Sequence, residues 1–138
     1  MSKTVTYTLR VEFGDCDPAG IVWFPNFFRW IDAASRHFFV ECGIPPWHQT
    51  EKALGIIGTP LVDTQARFLK TASYGETLHI DVSIAEWRGK SFVQQYRVRR
   101  DDTAIMECQE VRIFGGRRDD GTLFAHAVPE AIRAACGG

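Results

Sequence analysis

Two aspartates, Asp15 and Asp17, stand in a short polar segment directly before the most aromatic part of the chain. The segment from Gly14 to Gly20 is rich in turn formers, and Pro25 suits the first turn of a helix, where its missing N–H costs nothing. One interpretation is turn chemistry, because aspartate accepts hydrogen bonds from nearby backbone N–H groups. The other is catalytic. Free N–H groups at the helix start could stabilise an oxyanion while a carboxylate attacks an acyl carbon or activates water.

The catalytic interpretation favours a thioester over a peptide as the substrate. Aspartate is a weak nucleophile towards amides, whose amine leaves poorly, whereas a thiol leaves far more easily. Cys16 lies between the two aspartates, but neighbouring carboxylates oppose formation of its thiolate, and we interpret it as structural. The sequence contains no G-x-S-x-G motif, no P-loop and no dinucleotide-binding glycine motif.

Asp32 falls on the predicted aromatic helix and has two interpretations. It is either a solvated or salt-bridged position near Arg29 or Arg36, or a buried acceptor for a substrate hydroxyl, since an unpaired buried charge would be costly. Four aromatic residues could line a pocket for an aryl group, although their spacing is equally typical of a core: Trp23, Phe24, Phe27 and Trp47.

A basic segment, Arg88 to Ser91, joins two predicted strands. It is either a solvated hairpin tip or a binding site for a phosphate-bearing ligand. Arg117 and Arg118, near the next predicted hairpin, allow the same two interpretations.

These residues require a helix and a sheet to position them. Residues 4–13 alternate between apolar and polar side chains, as in a half-buried strand. From Pro25, apolar residues recur at helical spacing up to Cys42, with Gly43 as the stop, and aromatic residues on several faces indicate a helix wrapped by other structure. A second helix is predicted at 45–54 and a short one at 129–135. Further strands are predicted at 59–70, 76–87, 91–100, 104–114 and 123–128. The order and the short turns predict an α+β fold, with one long helix against an antiparallel sheet.

Length and composition predict one domain, residues 1–138. Sixteen basic against seventeen acidic side chains give a charge of −1, so no global field attracts nucleic acid or an anionic membrane. No apolar run approaches the roughly 20 residues of a membrane helix, and the start lacks the features of a signal peptide. The four cysteines are far apart, which predicts no zinc site, no disulfide framework and a cytoplasmic location.

The segment VEFGDCDPAGIVWFPNFFRWIDAASRHFF closely resembles the bacterial 4-hydroxybenzoyl-CoA thioesterases of the hot-dog superfamily. CGIPPWHQT, GTPLV, TASY and EWRGKSFVQ fit the same family in the same order. The resemblance implies a hot-dog fold, in which a five- to six-stranded antiparallel sheet wraps a long central helix. It also implies a homotetramer built as a dimer of dimers, with active sites shared across subunits. The implied reaction is hydrolysis of 4-hydroxybenzoyl-CoA or a close aryl analogue to the free acid and CoA. No cofactor is implied, since CoA is part of the substrate.

By position, the resemblance implies that Asp17 is the catalytic carboxylate, as nucleophile or general base. The backbone N–H of Phe24 would polarise the thioester carbonyl, and Asp32 would meet a 4-hydroxyl group. The predicted substrate-binding residues are Trp23, Phe27, Asp32, Trp47, Thr59, Pro60 and Leu61. The predicted CoA-binding residues are Arg88, Lys90 and Ser91.

Two features depart from the family pattern. Phe24 has neither a hydroxyl nor an imidazole, so only its backbone could take part, and the last strand, LFAHAVP, offers no arginine for the nucleotide phosphates. The alternatives are a thioesterase for short or medium aliphatic acyl-CoA and a non-catalytic acyl-CoA binding protein. A dehydratase is disfavoured because the Asp17 loop contains no histidine.

Overall fold

A computed structural model describes residues 3–138. Met1 and Ser2 lie outside the described residues, so the predicted domain of residues 1–138 is described from Lys3 onward. Helices α1, α2 and α3 span Pro25–Glu41, Trp47–Leu54 and Glu130–Ala135. Strands β1 to β7 span Thr4–Arg10, Ile56–Gly58, Leu61–Phe68, Thr77–Trp87, Ser91–Arg100, Thr103–Arg117 and Leu123–His126.

The described strands form one antiparallel sheet of seven strands, where the prediction was five to six. The central order is β1-β4-β5-β6, and the long β6 also pairs with β2, β3 and β7. Gly115 pairs with Gly58 of β2 and with Ala125 of β7, so these two short strands lie on opposite edges of β6. A Cβ at the neighbouring Gly116 would lie 2.6 Å from the Phe124 ring, which explains the need for glycine there.

Helix α1 begins and ends where the sequence indicates. Pro25 occupies its first turn, and Gly43, at φ +83°, follows the last turn in the left-handed conformation that glycine tolerates. The buried residues recur at intervals of three and one, and face the sheet: Phe27, Trp30, Ile31, Ala34, Ser35, Phe38 and Phe39. Phe24, just before this helix, and Asp32 and Val40 within it are exposed in the single chain.

Strand β3 is exposed along its whole length, Leu61–Phe68. Within the described residues it pairs with β6 alone, so its other edge offers unpaired backbone groups. One end of β3, at Leu61, follows β2 after two residues, and the other end, at Phe68, packs against the aromatic rings at the start of α1. A long unpaired edge with exposed apolar side chains is the kind of strand that natural proteins cover or pair.

Candidate active site

The loop that carries Asp17 is a tight hairpin in front of α1. Cys16 and Val22 form an antiparallel bridge, and the Asp17 N–H donates to the carbonyl of Ile21 at 2.9 Å. One Asp17 carboxylate oxygen accepts the N–H of Ala19 at 2.9 Å, as expected from turn chemistry. Within residues 3–138 the second oxygen has no hydrogen-bond partner, and the half-buried side chain therefore keeps one oxygen available.

Asp15, by contrast, is fully committed to structure. Its backbone carbonyl accepts the Trp23 N–H at 3.0 Å and the Asn26 amide at 2.8 Å, which ties the loop to the helix start. Its side chain accepts the Glu12 N–H at 2.8 Å and pairs with Arg29 at 3.1 Å. The turn-forming interpretation therefore describes Asp15, which holds the loop together, whereas Asp17 keeps an oxygen that a ligand could reach.

The helix start offers one backbone donor. The Asn26 N–H bonds Trp23, the Phe27 N–H bonds Phe24, and Pro25 has no N–H. In the described part of the chain, the Phe24 N–H has no acceptor. A free N–H at the positive end of a helix can bind a carbonyl oxygen that is gaining negative charge.

Aromatic rings surround this helix start. Trp23 and Phe24 are exposed, and the rings of Phe24, Phe27 and Phe28 meet Phe68 edge-on, at 5.8 to 6.4 Å between centroids. Phe27 is only 4% exposed, so packing accounts for it in the single chain; its role in substrate binding stays a prediction.

A cavity of about 510 Å³ opens further along α1. It contains five of the seven predicted substrate-binding residues: Asp32, Trp47, Thr59, Pro60 and Leu61. Its other lining residues are Ser35, Arg36, Ile57, Gly58 and Arg112. The Arg36 guanidinium stacks on the Trp47 ring at 5.0 Å. The size and the mixture of apolar walls with a few polar groups suit a small ligand.

Asp32 is solvated, as the first sequence interpretation has it, and not buried, since its side chain is 74% exposed. It pairs with neither Arg29 nor Arg36. It accepts a hydrogen bond at 3.0 Å from Arg112, whose side chain is only 6% exposed. The carboxylate therefore stands at the cavity wall against a buried cation.

Arg112 is the centre of a buried cluster of polar residues, called here the polar group. It also donates to the Thr59 carbonyl at 2.8 Å and to Glu110 at 2.9 Å. Burial alone would lower the pKa of the Arg112 guanidinium, but its interactions with Tyr96, Glu110 and Asp32 outweigh that effect and raise it. The guanidinium is therefore a permanent cation.

The polar group continues through the sheet to α1. The Tyr96 hydroxyl lies 2.6 Å from Glu110 Oε1 and 2.8 Å from Gln94 Oε1, which also accepts the Ser35 hydroxyl at 2.7 Å. Burial and the negative charge of Glu110 raise the pKa of Tyr96 well above its ordinary value. The phenol therefore remains protonated, as a donor must.

Sequence reasoning missed Arg112 and its neighbours, although a signal was present. On β6 the inward positions alternate from Met106 through Cys108 to Phe114, and Glu110 and Arg112 interrupt this apolar face. On β5, Gln94 interrupts the inward face in the same way. Charged residues in phase with a buried face indicate a polar network, because isolated buried charges are too costly.

The predicted CoA-binding residues lie apart from the cavity, at the turn between β4 and β5. Arg88 pairs with Glu86 at 2.9 Å, Lys90 is exposed, and Ser91 begins β5. A larger recess, about 630 Å³, lies over β1 and β3 to β6 and contains none of the predicted site residues.

Among residues 3–138, no three His, Cys, Asp or Glu side chains are grouped to hold a metal ion. No helix in the same range is long and apolar enough to span a bilayer.

Fold and site together define a hot-dog thioesterase. A family model described as the thioesterase-like superfamily matches residues 11–135, and the chain belongs to this superfamily. The 4-hydroxybenzoyl-CoA thioesterase of Pseudomonas sp. (strain CBS-3) is 51% identical over 134 residues, which cover 94% of each chain. The predicted α+β hot-dog fold and thioester hydrolase class are therefore confirmed.

Solved structures give the same result. A D17N variant of a 4-hydroxybenzoyl-CoA thioesterase, complexed with 4-hydroxybenzoyl-CoA, has a TM-score of 0.92 and 47% identity, covering 96% of this chain and 98% of its own. A gentisyl-coenzyme A thioesterase has a TM-score of 0.81 and 30% identity, covering 97% of this chain and 100% of its own.

Proposed function

We propose that the protein hydrolyses 4-hydroxybenzoyl-CoA, or a close aryl-CoA analogue, to the free acid and CoA. One observation carries the proposal: Asp17 keeps an open carboxylate oxygen in the hairpin that leads directly into the unused N–H of Phe24. The D17N variant of the related thioesterase, crystallised with its substrate, supports the same assignment for Asp17, which has the same residue type and number here.

In the proposed reaction, the thioester carbonyl oxygen accepts the Phe24 N–H. Asp17 then either attacks the carbonyl carbon, forming an acyl-aspartate anhydride that water hydrolyses, or removes a proton from the attacking water. In both routes the carbon–sulfur bond breaks and the CoA thiolate takes up a proton. All groups come from the chain itself, so we propose that no cofactor is needed beyond the CoA in the substrate.

We place the aryl group in the cavity, where Asp32 would accept the 4-hydroxyl. Trp47, Thr59, Pro60 and Leu61 line the same space. We propose that the carbonyl donor and the hydroxyl acceptor for one substrate come from different subunits, in agreement with the shared sites that the family resemblance implies.

The exposed edge of β3 supports such a shared site. If two copies pair antiparallel along this edge about a two-fold axis, the Leu61 end of one strand meets the Phe68 end of the other. This pairing would bring the cavity of one copy, at Leu61, towards the Asp17 and Phe24 of the second. We therefore propose a homodimer through β3, and a tetramer formed from two such dimers. Sedimentation analysis of the active enzyme checks this, and a purely monomeric active species would refute the shared site.

Arg88, Lys90 and Ser91 are proposed to meet the nucleotide part of CoA. Their turn is anchored to the chain end, because the Val128 N–H donates to the Gly89 carbonyl at 2.9 Å. A cytoplasmic location also remains a proposal, supported by the wide spacing of the four cysteines.

A panel of CoA esters separates aryl from aliphatic specificity. Asp32→Ala is expected to lower kcat/KM for 4-hydroxybenzoyl-CoA by about 10- to 100-fold, the worth of one charge-assisted hydrogen bond, and to change benzoyl-CoA and hexanoyl-CoA less than about threefold. The measurement is steady-state release of CoA thiol.

Asp119→Ala, an exposed carboxylate in the turn before β7, is the matched control and should leave every ester unchanged. A wild-type preference for hexanoyl-CoA would favour the aliphatic alternative, and tight ester binding without thiol release would favour a binding protein. An equal loss on every ester with Asp32→Ala would contradict its role as the hydroxyl acceptor.

A further inference from the structure

The polar group around Arg112 closes into a ring that starts and ends on α1. Ser35 lies one helical turn after Asp32, so the two ends of the chain of hydrogen bonds are neighbours on the same helix face. We infer that Arg112 is a positioning residue for the aryl pocket, an inference that rests on the proposed function. The members of the ring, in order, are Asp32, Arg112, Glu110, Tyr96, Gln94 and Ser35.

Arg112 connects three separate walls of the site. Its Nε donates to Glu110 on β6, its Nη1 to the carbonyl of Thr59 before β3, and its Nη2 to Asp32 on α1, all within 2.8–3.0 Å. A guanidinium can serve three acceptors at once because its donors form a rigid planar fork. A lysine ammonium has a single nitrogen and cannot hold all three in this arrangement.

Asp32 needs an external support because it is mostly exposed. An exposed aspartate samples several rotamers, and an ordinary surface ion pair seldom fixes it. Here the partner is already immobile, since Arg112 is buried and held by Glu110, and only Asp32 has to be ordered. The contact uses Oδ1 of Asp32, and within residues 3–138 Oδ2 has no hydrogen-bond partner. The free oxygen is thereby held at the cavity wall, where a substrate hydroxyl can reach it.

The other half of the ring fixes the helix itself. The Tyr96 hydroxyl lies within hydrogen-bond distance of Glu110 and of Gln94 and donates its single proton to one of them at a time. The Gln94 side-chain oxygen also accepts the hydroxyl of Ser35, which faces the sheet from α1. Apolar packing alone tolerates small shifts of one layer over another, whereas directional hydrogen bonds at two places specify one rotation and height. The ring therefore sets the position of Asp32 relative to Thr59 on the facing wall.

The test measures selectivity, as the ratio of kcat/KM for 4-hydroxybenzoyl-CoA to that for benzoyl-CoA. The double variant Arg112→Met with Glu110→Gln removes the cation without leaving a buried anion. It is expected to lower the ratio by about tenfold or more, because benzoyl-CoA has no hydroxyl for Asp32 to accept. Arg112→Lys keeps the charge but not the fork, and an intermediate ratio is expected.

The matched control is Arg99→Met with Asp81→Asn, which removes an arginine–aspartate pair at 2.7 Å between β5 and β4, outside the ring. Its ratio should equal that of the wild type. An unchanged ratio in the folded double variant, or an equal fall for both esters, would overturn the positioning role. If the double variant does not fold, the ratio of Arg112→Lys decides in the same way. A wild type with no preference for the hydroxylated ester would overturn the proposed aryl specificity, and this inference with it; that outcome is separate from every variant result.

Discussion

Asp17→Asn is expected to lower kcat for hydrolysis of 4-hydroxybenzoyl-CoA by roughly 10²- to 10⁴-fold. The amide has nearly the same shape as the carboxylate and can still accept the Ala19 N–H, so the hairpin should persist. It cannot attack the carbonyl as a nucleophile or remove a proton from water. KM should change much less than kcat, because the substrate contacts proposed for the cavity and the Phe24 N–H remain. Steady-state kinetics under saturating ester measure both constants.

Asp15→Asn is the matched control, since it makes the same chemical change two residues away. Asp15 holds the loop through Glu12 and an exposed partner, Arg29, and an amide oxygen can still accept the Glu12 N–H. Turnover should stay within about threefold of wild type, because loss of an exposed ion pair costs little. Full activity in Asp17→Asn, or an equal loss in both variants, would remove Asp17 from the proposed reaction.

The elements that carry Asp17 and Phe24 could be predicted because their determinants are local. Pro25 suits the first turn of α1, Gly43 provides the left-handed stop, and the apolar spacing between them gives the buried face. The hairpins follow from short turn sequences, such as the left-handed Gly121 before β7. Each of these signals lies within a few residues of the structure it determines.

The remainder of the site depends on contacts that are distant in sequence. Asp32 meets Arg112 across 80 positions, so nothing near the aspartate identifies its partner, and the nearby Arg29 and Arg36 were the wrong candidates. Strand β2 has only three residues and forms because Gly115 and Gly116 let neighbouring segments approach β6. Exposure depends on the assembled layers in the same way, which explains why the sequence left both a solvated and a buried Asp32 open.

The buried pair of Glu110 and Arg112 gives the largest expected effect on stability. Glu110→Leu leaves the guanidinium without its buried partner, and Arg112→Met leaves the carboxylate without its cation. Each single variant is expected to lower the free energy of unfolding by about 3–5 kcal/mol, whereas replacing both ions by apolar groups is often nearly neutral. The double variant should therefore be more stable than either single variant. Urea unfolding at one fixed protein concentration measures the wild type, both single variants and the double variant, which together form a double-mutant cycle.

The pair of Asp81 and Arg99 provides the comparison, since both of its side chains are about one quarter exposed. There the losses from Asp81→Asn and Arg99→Met should each stay near or below about 1 kcal/mol, because solvent screens partly exposed charges. If the losses from Glu110→Leu and Arg112→Met simply add in the double variant, the two ions do not stabilise each other. The ring would then lack the rigid centre that orders Asp32, so the same cycle that measures stability also tests the structural basis of the aryl pocket.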